Sequence, residues 1–327
     1  MELKILLGVF PLFILLSAFL VYLCFIEIEN ILLGVLVIIT SSIIAFVLFK
    51  CGIHSPQSHF KNITKSTVNS QKLEITFEDG VKTSGIIYRS RSETLETPNG
   101  SRYPEPRPTI IFFHGFWASK EVNEMLLIPL AHIGYITFAF DQRGHGEAGG
   151  TKSEWYKLYN DATTVLDYVC SIKDVKKGAI CCIGKSMGGT AVLTKCYEDE
   201  RVGMIIGIST LHDIDILLEA NFPFLSSGWF VKRIISRVKN KAAFNIAARY
   251  FLKTNPEYNK NRVYLIHGKD DNIFPPSLTF ELNKKQAQIP DDHALLLENC
   301  GHSFEDQEML EFGIILKWIM ENNIMNL

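Results

Sequence analysis

Three side chains able to relay a proton fall in the second half of the chain: Ser186, Asp271 and His302. Ser186 sits in Gly184-Lys185-Ser186-Met187-Gly188, directly after the apolar run Ala179-Ile180-Cys181-Cys182-Ile183. Gly-x-Ser-x-Gly between a buried strand and a helix is a nucleophile elbow, in which two glycines let the backbone turn and push the hydroxyl out above a sheet. A serine hydroxyl is a weak nucleophile until an imidazole takes its proton, and the imidazole needs a carboxylate to fix its tautomer and stabilise its charge. His302 follows the apolar run Leu295-Leu296-Leu297 in Cys300-Gly301-His302-Ser303. Val263-Tyr264-Leu265-Ile266-His267-Gly268 reads as a strand that leads into Lys269-Asp270-Asp271-Asn272-Ile273-Phe274-Pro275. Each group thus stands past the carboxyl end of a predicted strand, where open α/β sheets place their sites. The chemistry this set would perform is acyl transfer.

The order Ser, Asp, His in these settings resembles the α/β-hydrolase superfamily. His114-Gly115-Phe116 follows the strand Thr109-Ile110-Ile111-Phe112-Phe113 and looks like that family's oxyanion-loop motif. Asp141-Gln142-Arg143-Gly144-His145-Gly146 resembles a turn of its monoacylglycerol-lipase-like and esterase-like branches. The resemblance spans residues 72–322, is weak over 209–260 and leaves out the N-terminus. It implies Ser186 as nucleophile and His302 as general base. The family pattern Gly-x-x-Asp with a proline four residues on selects Asp271, between Gly268 and Pro275, over Asp270. Other branches place the acid after the preceding strand, where Asp213 and Asp215 lie, and that alternative stays open. The backbone N–H groups of Phe116 and Met187 are the expected oxyanion donors. His114, Gly115 and His145 are expected to shape loops, with catalysis by His145 as the lesser alternative.

Other chemistries fit less well. Gly184-Lys185-Ser186 mimics the end of a phosphate-binding loop, but the first glycine of that motif would fall at Ala179. Seven cysteines, an odd number with no metal-like spacing, read as buried reduced thiols. Cys181-Cys182 is adjacent and supports neither a redox nor a zinc motif. A formal charge of −2 argues against a whole-protein nucleic-acid binder. No metal or organic cofactor is called for.

The elements that must position these groups read as an α/β fold. Leu73–Phe77 and Thr83–Tyr88 form a hairpin around Glu78-Asp79-Gly80. Strands are predicted at 109–113, 136–140, 179–183, 202–208, 263–267 and 293–297. Helices are predicted near 121–133, 154–172, 187–198, 277–287 and 304–322. That alternation predicts a mainly parallel sheet flanked by helices, the α/β-hydrolase fold, over residues 72–327.

Residues 209–260 break the rhythm and are expected to form a helical cap. From Ala220 to Pro256 there is no acid, while Lys232, Arg233, Arg237, Lys239, Lys241, Arg249 and Lys253 are present. Phe230, Ile234, Ile235 and Val238 share one helical face; Phe244, Ala247, Ala248 and Phe251 share another. Either these helices pack on the sheet with a solvated basic face, or they form an apolar, basic lid that meets anionic headgroups or an acidic acyl substrate. Phe222, Phe224 and Trp229 are the candidate substrate-binding side chains.

The N-terminus carries a separate signal. Residues 5–26 and 31–49 are uncharged runs flanking Glu27-Ile28-Glu29-Asn30. Each is long enough for a hydrocarbon core, which takes about 20 apolar residues. The first run is too long for a signal peptide and no small-x-small site precedes Glu27. Residues 1–50 are therefore read as a two-helix transmembrane hairpin and 51–71 as a stalk. Lys4, Lys50, Lys61 and Lys65 flank the spans on one side, which puts the catalytic domain in the cytoplasm. The expectation is a membrane-anchored serine hydrolase acting on a small-molecule or lipid ester. A thioesterase, a small-peptide hydrolase and a non-catalytic scaffold are the alternatives.

Overall fold

The computed structural model describes residues 68–91, 106–221 and 247–327. Eight strands form one sheet: β1 (Val68–Thr76), β2 (Lys82–Ser90), β3 (Arg107–Phe113), β4 (Ile136–Phe140), β5 (Val175–Lys185), β6 (Val202–Ile208), β7 (Val263–Gly268) and β8 (Ala294–Leu297). Their spatial order is β1-β2-β4-β3-β5-β6-β7-β8. β1 and β2 are an antiparallel hairpin, β2 runs antiparallel to β4, and the strands from β4 to β8 are mutually parallel. The hairpin turn is Phe77–Val81, closed by Phe77 N–H donating to the Val81 carbonyl at 2.8 Å. β1 opens at Val68, inside the segment that composition assigns to a stalk. The first half of β1 is solvated from Asn69 to Lys72, as its edge position allows, so the alternation that marks a half-buried strand begins only at Leu73.

The longer of the described helices, with the short one after the elbow, are α1 (Glu124–His132), α2 (Leu158–Ser171), α3 (Met187–Ala191), α4 (Ile214–Asn221), α5 (Phe280–Ala287) and α6 (Glu308–Glu321). The period-2 geometry of the strands sorts the core into two layers. Ile111, Phe113, Ile180 and Cys182 face α2, the segment after α3, and α5; Ile110, Phe112, Cys181 and Ile183 face α1 and α6. Burial on both faces is why these strands read as continuous apolar runs. Truncating a residue such as Ile111 to Ala would cost about 2–5 kcal/mol. α3 continues into one π-helical turn, Val192–Cys196, so the helix expected over 187–198 changes its winding midway.

The cap region is described only at its two ends. Ala247, Ala248 and Leu252 are buried and Phe251 packs against Tyr159 of α2, so this part of the second apolar face belongs to the flank of the sheet. Phe222, Phe224, Trp229 and the 230–238 face lie outside the described residues, as do both N-terminal runs. Among the described residues no helix is long and apolar enough to cross a membrane.

Candidate active site

Ser186 stands between β5 and α3 with φ 54° and ψ −115°, a conformation non-glycine residues rarely adopt. The turn is therefore taken by the serine itself. The flanking glycines supply room: a Cβ at Gly184 would collide with the backbone of Gly188, and one at Gly188 with the Phe113 carbonyl. Ser186 N–H donates to the Ile208 carbonyl at 2.8 Å, which holds the strained residue to the end of β6. Strain of this kind costs about 1–3 kcal/mol and persists only where surroundings over-determine it.

The structure brings His302 and Asp271 to this hydroxyl. His302 Nε2 lies 2.9 Å from Ser186 Oγ, and His302 Nδ1 lies 2.7 Å from Asp271 Oδ2. The carboxylate can only accept from Nδ1, so Nδ1 carries the proton and Nε2 is free to accept from the serine. Asp271 is 2 % exposed, and Oδ1 accepts from the N–H groups of Ile273 (2.9 Å) and Phe274 (2.8 Å). Burial pushes this carboxyl up, but hydrogen bonds from His267 and His302 outweigh it and hold it well below the usual carboxylate range. Asp270 is exposed. Asp213 pairs with the Arg249 guanidinium, and so serves the junction with residues 247–251 instead of His302.

Sequence reasoning does not single out His267. It is 1 % exposed at the end of β7, and its Nε2 lies 2.8 Å from the Phe274 carbonyl and 3.1 Å from Asp271 Oδ2. The carbonyl accepts only, so His267 Nε2–H is the donor to both, and Asp271 Oδ2 is shared by two imidazoles. The spacing His-Gly-x-x-Asp is the available signal. It is easily passed over because a strand pattern does not reveal that the following loop folds back.

Phe116 and Met187 N–H groups face no turn, loop or cap acceptor among the described residues. Gly115 lets the early loop approach the elbow: a Cβ there would sit 3.5 Å from Ser186 Cβ. Phe116 and Trp117 are each 41 % exposed and pack edge-to-face, with Lys152 Nζ 3.7 Å from the Trp117 ring centroid. His114 holds this loop from behind. Its Nδ1–H donates to the Gly115 carbonyl at 2.7 Å and its Nε2 accepts from Gln142 N–H at 2.9 Å. Burial pushes His114 down to about 3, so it stays neutral. His145 Nδ1–H donates to the Arg143 carbonyl at 2.8 Å, which ties it to its own turn. Beneath, Lys120 donates to Asp141 Oδ2 at 2.7 Å and to Glu147 Oε2 at 2.8 Å, and Arg143 pairs with Asp161 and Asp79. Among the described residues no group of three or more His, Cys, Asp or Glu could hold a metal ion.

Comparison with known proteins agrees with this fold. The model of the Hydrolase_4 family, serine aminopeptidase S33, matches residues 104–261, which include Phe116, Ser186 and Met187 and stop short of Asp271 and His302. The chain is 28 % identical over 174 residues to the uncharacterized protein YfhR of Salmonella typhi, a match covering 51 % of this chain and 55 % of that protein. It is 23 % identical over 219 residues to 2,6-dihydropseudooxynicotine hydrolase of Paenarthrobacter nicotinovorans, covering 64 % and 57 %. The chain thus spans little more than half the length of these relatives. Among solved structures it is similar to ferulic-acid-bound Est1E of Butyrivibrio proteoclasticus (TM-score 0.55, 18 % identity, 76 % of this chain and 98 % of that one). It is also similar to the Pyrococcus furiosus esterase Pf2001 (TM-score 0.51, 20 % identity, 79 % and 95 %).

Proposed function

We propose that this chain, which has the α/β-hydrolase fold, is a membrane-anchored serine hydrolase that cleaves carboxylic esters through Ser186, His302 and Asp271. The observation that carries this is the hydrogen-bonded row from Asp271 Oδ2 through His302 to Ser186 Oγ. Ser186 Oγ attacks the ester carbonyl while His302 Nε2 takes its proton. The N–H groups of Phe116 and Met187 receive the negative charge on the carbonyl oxygen. His302 then gives the proton to the leaving alcohol. Water, activated by the same imidazole, releases the acid from Ser186. Asp271 keeps Nδ1 protonated and balances the imidazolium.

An apolar or lipid acyl group is supported by the exposed Phe116 and Trp117 rings beside the elbow. Phe222, Phe224 and Trp229 are the further candidates for binding that group, on sequence alone. The anchor rests on the two uncharged runs, residues 5–26 and 31–49, and the cytoplasmic orientation on their flanking lysines. Retention of the full chain in carbonate-washed membranes checks the anchor; release into the wash would remove it.

The test of activity is labelling of the full chain with a fluorophosphonate. Wild type should label, and Ser186→Ala should not. An unlabelled, folded wild type in the presence of lipid vesicles would instead support a non-catalytic scaffold. A small-peptide hydrolase with the same three groups is the second reading, favoured by the match to a serine aminopeptidase model. Turnover of an ester, a thioester and an aminoacyl amide with a common acyl group decides among them.

A further inference from the structure

Lys185, the residue before the nucleophile, touches three of the segments that build the site. Its Nζ donates to Glu311 Oε2 of α6 at 3.0 Å and to the Ser303 carbonyl at 3.2 Å. The same ammonium lies 4.7 Å from the centroid of the buried Phe304 ring. Its own carbonyl backs the early loop, where a Cβ at Gly115 would come within 3.4 Å of it. The pair is shielded: the Lys185 side chain is 21 % exposed and that of Glu311 11 %. Charge-assisted hydrogen bonds in such surroundings are about twice as strong as neutral ones.

The covalent neighbours give this contact its meaning. Lys185 adjoins Ser186, and Ser303 adjoins His302. The ammonium therefore ties the elbow to the backbone beside His302, whose side chain meets that of Ser186 at 2.9 Å. The His302 loop has other ties: Ser209 Oγ donates to the His302 carbonyl at 3.3 Å, and Gln307 Nε2 donates to the carbonyls of Glu298 and Asn299. Neither originates in the elbow. Phe304, one of the few non-glycine residues with positive φ (61°), lies directly after Ser303 and under the ammonium. The loop is thus bent around the point where Lys185 reaches it.

We propose that Lys185 is a positioning residue that holds the His302 loop in register with Ser186, with Glu311 as its anchor on α6. This rests on the assignment of Ser186 and His302 as nucleophile and base. A lysine suits the place because its three donors can serve a carbonyl and a carboxylate at once, and an arginine fork can replace it in part.

The experiment is steady-state hydrolysis of a short-chain nitrophenyl ester by the full chain, with fluorophosphonate labelling of Ser186 in parallel. Lys185→Met should lower kcat about tenfold with KM within about twofold, because sub-ångström misplacement of a base affects the chemical step and not binding. Lys185→Arg should recover most of that loss, and Glu311→Gln should fall between. Wild-type kcat in Lys185→Met, or a Lys185→Arg variant as slow as Lys185→Met, would overturn the assignment. Should Lys185→Met not fold, a folded Glu311→Gln variant with unchanged kcat would overturn it equally. An unlabelled wild type sinks the serine-hydrolase proposal itself, whereas a labelled wild type indifferent to Lys185 sinks only this role.

Discussion

Two aspartates stand just past the carboxyl ends of parallel strands, Asp141 after β4 and Asp271 after β7, and both are buried and surrounded by donors. Asp141 accepts from Lys120 N–H (2.8 Å), Lys120 Nζ (2.7 Å) and Glu147 N–H (2.9 Å). Asp271 accepts from two backbone amides and two imidazoles. The difference is in the last donor. Around Asp141 every donor ends in the fold: burial pushes the Lys120 ammonium down, but Asp141, Glu147 and Glu121 outweigh it and hold it above its ordinary value. Around Asp271 one donor, His302, is 15 % exposed and passes on to a strained serine hydroxyl. A buried carboxylate becomes chemically useful when one partner can change its protonation at the surface. It becomes structural when all partners are fixed.

Exchanging each carboxylate for an amide should therefore separate the two. In Asp271→Asn one end of the amide must meet either the Ile273 and Phe274 N–H groups or the two imidazoles with its NH2. The second orientation forces His302 into the tautomer that cannot accept from Ser186. Ester turnover should fall roughly 10³- to 10⁴-fold with little change in melting temperature. In Asp141→Asn the buried Lys120 loses its one buried carboxylate and keeps only the more exposed Glu147 and Glu121, and an amide NH2 is set among donors, which costs about 1–3 kcal/mol. Melting should drop sharply while the surviving folded fraction turns over ester at a near-normal rate. A catalytic collapse in folded Asp141→Asn would erase the distinction. A smaller effect is expected from His267→Leu, which removes one of the two imidazoles on Asp271 Oδ2 and leaves His302 in place. A loss of about tenfold in kcat with unchanged KM marks a shared carboxylate. No loss means that the backbone amides alone suffice to hold it.

Much of this was legible because chemistry and topology impose the same spacing. In the proposed chemistry a nucleophile, an acid and a base each follow a strand, and the apolar runs before Ser186, Asp271 and His302 announce those strands. The preference for Asp271 over Asp270 has a physical basis in the loop, since only Asp271 turns inward to cap Ile273 and Phe274. What was illegible depends on folding back across the sequence. Lys185 and Glu311 stand 126 residues apart, and nothing local in either says they meet. The glycines of the elbow invite an explanation by turning, yet the turn belongs to Ser186, and the glycines are there so that α3 can lie against β5 and Phe113. The first half of β1 escaped because Asn69–Lys72 is solvated and has no buried face to give it a period, whereas Leu73 and Ile75 reach the core and were legible.

Acid offers the gentlest probe of the same comparison, through His114 on the structural side. Its folded-state pKa is pushed from 6.5 down to about 3 by burial, so between these values the unfolded chain binds a proton that the folded chain refuses. Stability from this group is intact above pH 6.5 and drains away as pH falls toward 3, by up to about 1.4 kcal/mol per pH unit. Urea unfolding at about pH 6.5 and about pH 5.5 should show wild type losing roughly 1 kcal/mol more than His114→Gln over that step. The glutamine side chain of that variant does not titrate, so only the slope is compared and the offset between the two proteins is irrelevant. Parallel slopes would mean that His114 takes up its proton in the folded state, and Gly115 would then keep its donor while Gln142 N–H lost its acceptor. The early loop would loosen, and the structural half of the molecule would prove as responsive to protons as the half that carries Ser186.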